Sequence, residues 1–235
     1  MWNQPSELHM VNSPIILALD SSDIGKCASH ILATKNYVSV YKIGLEFFNK
    51  NGLSGIEKLR AEAGEFELFL DLKLHDIPNT VAGACRALHE LSPKFLTVHA
   101  SGGSSMVSAA ATELPNTAIA AVTVLTSLNQ ESLDTMGMPK VEEFTLALAR
   151  NAVAAGAKAL VASPHEVRVL RREFASSIQL ITPGVRPISL GDDQERTATP
   201  KVALLSGADF LVIGRPITGA ENPGAAAAEI FASLN

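Results

Sequence analysis

The chain has 235 residues, 47% of them hydrophobic and 18% charged, a composition that excludes a disordered chain and supplies a substantial core. With 19 basic against 24 acidic side chains the net charge is −5, so nothing draws the whole molecule to nucleic acid or to an anionic membrane. An anionic ligand would need locally concentrated cations.

In chain order, residues 1–11 are polar and lack the basic and apolar regions of a leader, and residues 1–13 read as an extension ahead of the first element. Short β-branched or aliphatic runs then alternate with alanine-rich amphipathic ones. Strands are predicted over 15–20, 38–43 and 67–72, each followed by a helical segment, over 24–33, 55–62 and 79–91. Two further strands span 95–98 and 118–125, and a helix spans 142–155. A strand over 159–162, a helix over 165–174, strands over 178–182 and 210–213, and a last helix over 225–234 complete the chain. Cys27 and Cys85 fall in helical stretches and match no disulfide or metal pattern, so reduced thiols are expected. No apolar run reaches the roughly 18 residues of a membrane span, and the expected compartment is the cytoplasm, with no membrane or nucleic-acid partner.

Alternation of this kind implies a parallel sheet with helical crossovers. Eight βα units without a central interruption, in a length close to the roughly 250 residues of a complete barrel, favour closure over an open sheet. The expectation is one α/β domain over residues 1–235, a (β/α)8 TIM barrel. Length alone would also allow two smaller domains, but no linker-like stretch divides the chain.

Polar residues stand at nearly every predicted strand end: Asp20, Lys42, Asp71 with Lys73, His99, Thr126 with Ser127, Thr182 with Pro183, and Gly214 with Arg215. Barrel active sites lie at that rim. In the run Asp71-Leu72-Lys73-Leu74-His75-Asp76-Ile77-Pro78-Asn79-Thr80, side chains two apart share a strand face. Asp71 and Lys73 therefore face the barrel mouth, Leu70 and Leu72 face the helices, and Pro78 fits a first helical turn. An isolated Asp-x-Lys is more often an ion pair beside a cap. Here Lys42 ends the neighbouring strand, and a buried network of such charges rarely stabilises a fold, which makes it a functional candidate. After the seventh strand, residues 183–199 form a long connection with the polar run Gly191-Asp192-Asp193-Gln194-Glu195-Arg196, suited either to a lid or to a solvated insertion. Gly214 and Arg215 suit a phosphate at the seventh and eighth strand ends. His75 points away from Asp71 and Lys73 and reads as structural, and His99 as a supporting position. Ser101-Gly102-Gly103 reads as a loop and helix start.

These residues together resemble the orotidine 5'-phosphate decarboxylases. The pattern D-x-K-x-x-D-I-x-N-T is complete from Asp71 to Thr80. Companion segments stand in family order: Ala18-Leu19-Asp20, Lys42-Ile43-Gly44, Thr123-Val124-Leu125-Thr126-Ser127, Thr182-Pro183-Gly184-Val185-Arg186 and Val212-Ile213-Gly214-Arg215-Pro216. The resemblance implies a cofactor-free and metal-free carboxy-lyase of pyrimidine biosynthesis, with Lys42, Asp71, Lys73 and Asp76 as its charge network. It implies a homodimer in which Asp76 and Thr80 serve the partner's site. It places Asp20 on the ribose, Ser127 at the pyrimidine edge with Thr126 as a nearby binding position, Arg215 with Gly214 on the phosphate, and Gln194 between phosphate and base. Pro183 and Arg186 join the substrate-binding set. Lys73 would stabilise and protonate a C6 carbanion, which the ring π-system cannot delocalise because its lone pair lies in the ring plane. Two alternatives stay open on the residues alone. A metal-dependent sugar-phosphate decarboxylase or aldolase would share D-x-K-x-x-D, but not the Ile77-Pro78-Asn79-Thr80 extension. A non-catalytic phosphate-binding barrel would leave the charge cluster without a purpose.

Overall fold

The strand-forming runs are short, β-branched and bounded by polar or glycine positions, and each strand buries one side in the barrel and the other under a helix. The structure, a computed structural model, describes residues 12–185 and 199–234. The expectations placed on residues 1–11 and 186–198, Arg186 and Gln194 among them, lie outside the described residues. The elements run β1 (Ile15–Leu19), α1 (Ile24–Thr34), β2 (Val40–Gly44), α2 (Leu45–Ala63), β3 (Leu68–Leu74), α3 (Pro78–Leu88), β4 (Phe95–His99), α4 (Ser104–Glu113) and β5 (Ala118–Val122). They continue α5 (Gln130–Thr135), α6 (Val141–Ala154), β6 (Ala159–Val161), α7 (Val167–Phe174), β7 (Gln179–Thr182), α8 (Pro200–Leu205), β8 (Phe210–Ile213), α9 (Arg215–Thr218) and α10 (Pro223–Ala232). The strands pair in sequence order, all parallel, and β8 closes on β1 through Ile15–Leu211 and Ile16–Val212, which is the predicted barrel.

Period two sorts the strand residues into two cores. Ile16, Val40, Phe69, Phe95, Ala120, Ala159 and Ile181 pack inside the barrel. Their neighbours along the chain, such as Leu17, Tyr41, Leu70, Leu96 and Leu180, belong to the layer beneath the helices. The Phe95 ring meets Phe69 and Phe210 edge-on, both at 5.5 Å between centroids, and these rings plug the barrel. Ala18, Lys42, Asp71 and Thr97, each two residues further along its strand, stand on that plug.

Several boundaries differ from expectation for physical reasons. β3 continues to Leu74 because its pairing with β4 shifts register between Leu70 and Leu74. α2 begins at Leu45, ahead of the predicted start at residue 55, and bends at Gly52 (φ 61°), so two helical pieces abut where Asn and Gly hide the period. β5 ends at Val122, before the predicted residue 125. Short α5, α8 and α9 carry too few turns for a periodic signal.

The end of the barrel opposite the rim is tied by Arg171 of α7. Its Nε donates to Gly207 O at 2.9 Å, one Nη to Ile178 O at 3.0 Å, and the guanidinium also reaches Ala175 O and the Asp209 carboxylate. Asp209 Oδ2 accepts from Leu180 N at 2.7 Å, so one cluster fixes the starts of β7 and β8. Gly207 (φ 110°) is required there, since a Cβ would lie 2.7 Å from Arg171 Cγ. Arg171→Ala is expected to lower stability by about 2 kcal/mol. Thermal unfolding should show a Tm drop of about 5 °C with kcat unchanged, the cluster being remote from the rim.

Candidate active site

β1, β2 and β3 lie side by side and deliver alternating charges to one place. Lys42 follows Val40 on the inward face of β2, and its Nζ lies 3.3 Å from Asp20 Oδ1 at the end of β1 and 3.3 Å from Asp71 Oδ2 on β3. Lys73 Nζ donates to the other Asp71 oxygen at 2.7 Å. The order is Asp20, Lys42, Asp71, Lys73, each charge flanked by its opposite. Asp71 and Lys42 are nearly buried (side chains 13% and 11% exposed), whereas Asp20 is open at 64%. Burial alone pushes the Asp71 carboxyl up. Lys42 and Lys73, with hydrogen bonds from Lys73 and the Thr97 hydroxyl, outweigh it and hold that carboxyl below the usual carboxylate range. His99, at the end of β4, has its pKa lowered by burial, by His75 and by Lys73, against an opposing pull from Asp71. Its ring lies 5.1 Å from that of His75.

The charges face a cavity of about 320 Å³, within the range of small-molecule sites. Ala18, Phe69, Val122, Val161 and Val212 give it apolar surface. Asp20, Lys42, Asp71, Lys73, Thr126 and Arg215 bring its polar groups, and Pro183 and Gly214 also line it. A Cβ on Gly214 would sit 3.5 Å from both Ala18 Cβ and Asp20 Oδ2, at the cavity edge.

Most of the predicted residues therefore meet: Asp20, Lys42, Asp71, Lys73, Thr126, Pro183, Gly214 and Arg215 share one cavity. Ser127 is exposed and outside its lining, because β5 ends early and the chain turns away after Thr126. Asp76 and Thr80 are exposed and do not join the cluster within the chain; Asp76 Oδ1 accepts instead from Ile77 N at 2.7 Å. Sequence reasoning missed Thr97, whose hydroxyl contacts both Asp71 Oδ1 (3.0 Å) and Lys73 N (2.8 Å). Its signal was its place two residues after Phe95, which turns it inward.

Fold and cavity together define a (β/α)8 barrel with a charged small-molecule site at its C-terminal rim. Residues 13–230 match the family described as orotidine 5'-phosphate decarboxylase / HUMPS. The chain is 51% identical to the orotidine 5'-phosphate decarboxylase of Thermobifida fusca (strain YX), over 94% of this chain and 96% of that one. It is 46% identical to that of Frankia casuarinae, over 95% and 88% respectively. The crystal structure of orotidine 5'-phosphate decarboxylase from Lactobacillus acidophilus superposes with a TM-score of 0.82 at 35% identity, covering 94% of this chain and 99% of that one. The chain belongs to the orotidine 5'-phosphate decarboxylase / HUMPS family.

Proposed function

We propose that the chain decarboxylates orotidine 5'-phosphate to uridine 5'-phosphate and CO2, a step of pyrimidine biosynthesis, through a C6 carbanion that Lys73 stabilises and protonates. The observation that carries this reading is the Lys73 ammonium, fixed 2.7 Å from Asp71 in the wall of a rim cavity, with Lys42 on the other carboxylate oxygen. As the bond from C6 to the carboxylate breaks, its electron pair stays on C6. A preorganised ammonium beside that carbon gains interaction energy as the charge builds, and so lowers the barrier. Lys73 then gives C6 a proton and recovers one from solvent. Asp71 would lie near the substrate carboxylate and repel it until CO2 leaves, a smaller contribution than that of Lys73. Lys42 holds Asp71 in place, and Asp20 faces the ribose. Thr126 lies nearer the cavity than Ser127 for reading the pyrimidine edge. The reading calls for no organic or metal cofactor, so treatment with a chelator leaves kcat unchanged.

In this reading the working unit is a homodimer, each chain lending Asp76 and Thr80 to its partner's site. The support is the run 75–80, exposed throughout and carrying Ile77 at 65% exposure, an apolar side chain that a second copy would cover. The reading takes residues 1–235 as one barrel domain with residues 1–13 as its extension, acting in the cytoplasm. No helix among the described residues is long and apolar enough to cross a membrane. Arg186 and Gln194 complete the substrate-binding set.

Arg215, exposed at the cavity edge, is the phosphate ligand of this scheme. Its binding energy acts far from the reacting carbon, through orientation of the whole nucleotide. Arg215→Ala should lower kcat/KM for orotidine 5'-phosphate by about 100-fold or more. It should barely change the slow reaction of orotidine, which lacks the phosphate. Ultraviolet absorbance and CO2 release follow both reactions on chelator-treated protein. No turnover of the nucleotide by the unaltered protein would overturn the function, and equal losses on both substrates would overturn the phosphate assignment alone.

A further inference from the structure

The backbone at Lys73 is left-handed, with φ 48°, a conformation that disfavours any residue with a Cβ. It coincides with the register shift between β3 and β4, where the ladder pairs Leu70 with Leu96 and then Leu74 with Val98. Where the ladder is irregular, a backbone N–H still needs an acceptor. Thr97, on the inward face of β4 and 1% exposed, supplies it: Lys73 N donates to Thr97 Oγ1 at 2.8 Å. The hydroxyl has one hydrogen of its own, directed at Asp71 Oδ1 at 3.0 Å. An ionised carboxylate only accepts, so the direction of both bonds is fixed. One side chain thus grips the strained peptide of the lysine and the carboxylate that pairs with its ammonium.

We infer that Thr97 is a positioning residue for the decarboxylation, its hydroxyl setting the Lys73 backbone and aiming the Asp71 carboxylate at the same time. The inference rests on the reading of Lys73 and Asp71 proposed above. A residue kept only for strand packing would tolerate valine, which has the shape of threonine and equal β propensity. A residue acting through its hydroxyl tolerates serine instead. Placement of Lys73 matters more as charge builds on C6 than when substrate first binds, so the loss falls on kcat rather than KM.

The acid limb of the pH profile gives a second readout. Asp71 is faced by Lys42 from β2, Lys73 on its own strand, and Thr97 and His99 from β4, with Asp20 of β1 beyond Lys42. The Thr97 hydroxyl donates to the ionised form, so its removal raises the Asp71 pKa and moves the acid limb of kcat/KM to higher pH. A change in packing lowers Tm and leaves that limb where it was.

The experiment measures kcat, KM, pH profile and Tm for Thr97→Val, Thr97→Ser and Thr97→Cys on orotidine 5'-phosphate. Thr97→Val should lose about 10- to 100-fold in kcat with KM within about threefold and its acid limb moved up. Thr97→Ser should stay within about threefold of the unaltered protein, and Thr97→Cys, a weak donor, should lose about tenfold. Near-normal kcat in Thr97→Val with an unmoved limb, or a serine variant as impaired as the valine one, would overturn the inference. Should Thr97→Val fail to fold, the serine and cysteine variants decide: equal activity in those two overturns it. Lys73→Ala, run alongside, separates the two levels. Turnover surviving in Lys73→Ala sinks the mechanism itself, whereas a dead Lys73→Ala beside a normal Thr97→Val sinks only the role of Thr97.

Discussion

Lys73→Ala is expected to lower kcat on orotidine 5'-phosphate by at least about 10⁴-fold, since it removes both the charge that stabilises the carbanion and the acid that protonates it. The barrel should stay folded. Deleting one partner of a buried ion pair is severe when the other charge is left alone, at about 3–5 kcal/mol. Asp71 is not left alone: Lys42 Nζ remains 3.3 Å from Oδ2, and the Thr97 hydroxyl remains on Oδ1. Alanine also suffers the left-handed backbone no more than lysine does, both having a Cβ. Thermal unfolding should therefore shift by only a few degrees while turnover disappears. A kcat within tenfold of the unaltered protein would remove the assignment.

The Asp71 carboxylate also ties stability to pH. Its pKa is depressed in the folded chain, so its stabilising contribution is present above the unfolded carboxylate pKa and is lost as pH falls through the folded value. Substitution of Lys73 removes one of the two cations that hold the pKa down, so the lysine-free variant should lose that contribution at higher pH than the unaltered protein does.

The eight strands were legible because a barrel strand is a local object: a few apolar residues with a period of two, bounded by turn formers. The charge pair was legible for the same reason, Asp71 and Lys73 being two apart on one strand. What escaped was non-local or cooperative. Thr97 reads as an ordinary strand threonine until the register of β4 against β3 sets its hydroxyl between Asp71 and Lys73. The left-handed turn at Lys73 has no glycine to announce it, because the strain is held by that hydrogen bond rather than by a permissive residue. The first half of α2 was hidden by Asn49, Asn51 and Gly52, poor helix formers that the packing of Phe47 against the barrel overrides. The order of Thr126 and Ser127 at the cavity depended on where β5 stops, and strand ends are set by pairing partners rather than by composition.

A mixture of two inactive variants should recover activity. Asp76 stands in the exposed run 75–80, spends one carboxylate oxygen on Ile77 N, and is not among the residues lining the cavity of its own chain. If it acts across a two-fold interface, Asp76→Asn damages the partner's site and Lys73→Ala damages its own. In a mixed dimer both lesions then fall in the same site, and the other site is intact. Random assortment at equal concentrations makes half of the dimers mixed, so about a quarter of all sites, and about a quarter of the unaltered activity, should return. Each variant alone should remain near background. The measurement is kcat per total site after co-refolding, with mixed dimers counted by a tag on one variant. Abundant mixed dimers without recovery would confine Asp76 to its own chain, where it does not line the cavity and so has no direct part in the chemistry. Recovery would show that an exposed aspartate beside an exposed isoleucine belongs to a site completed only by association, so activity should also fall on dilution below the dimer dissociation constant.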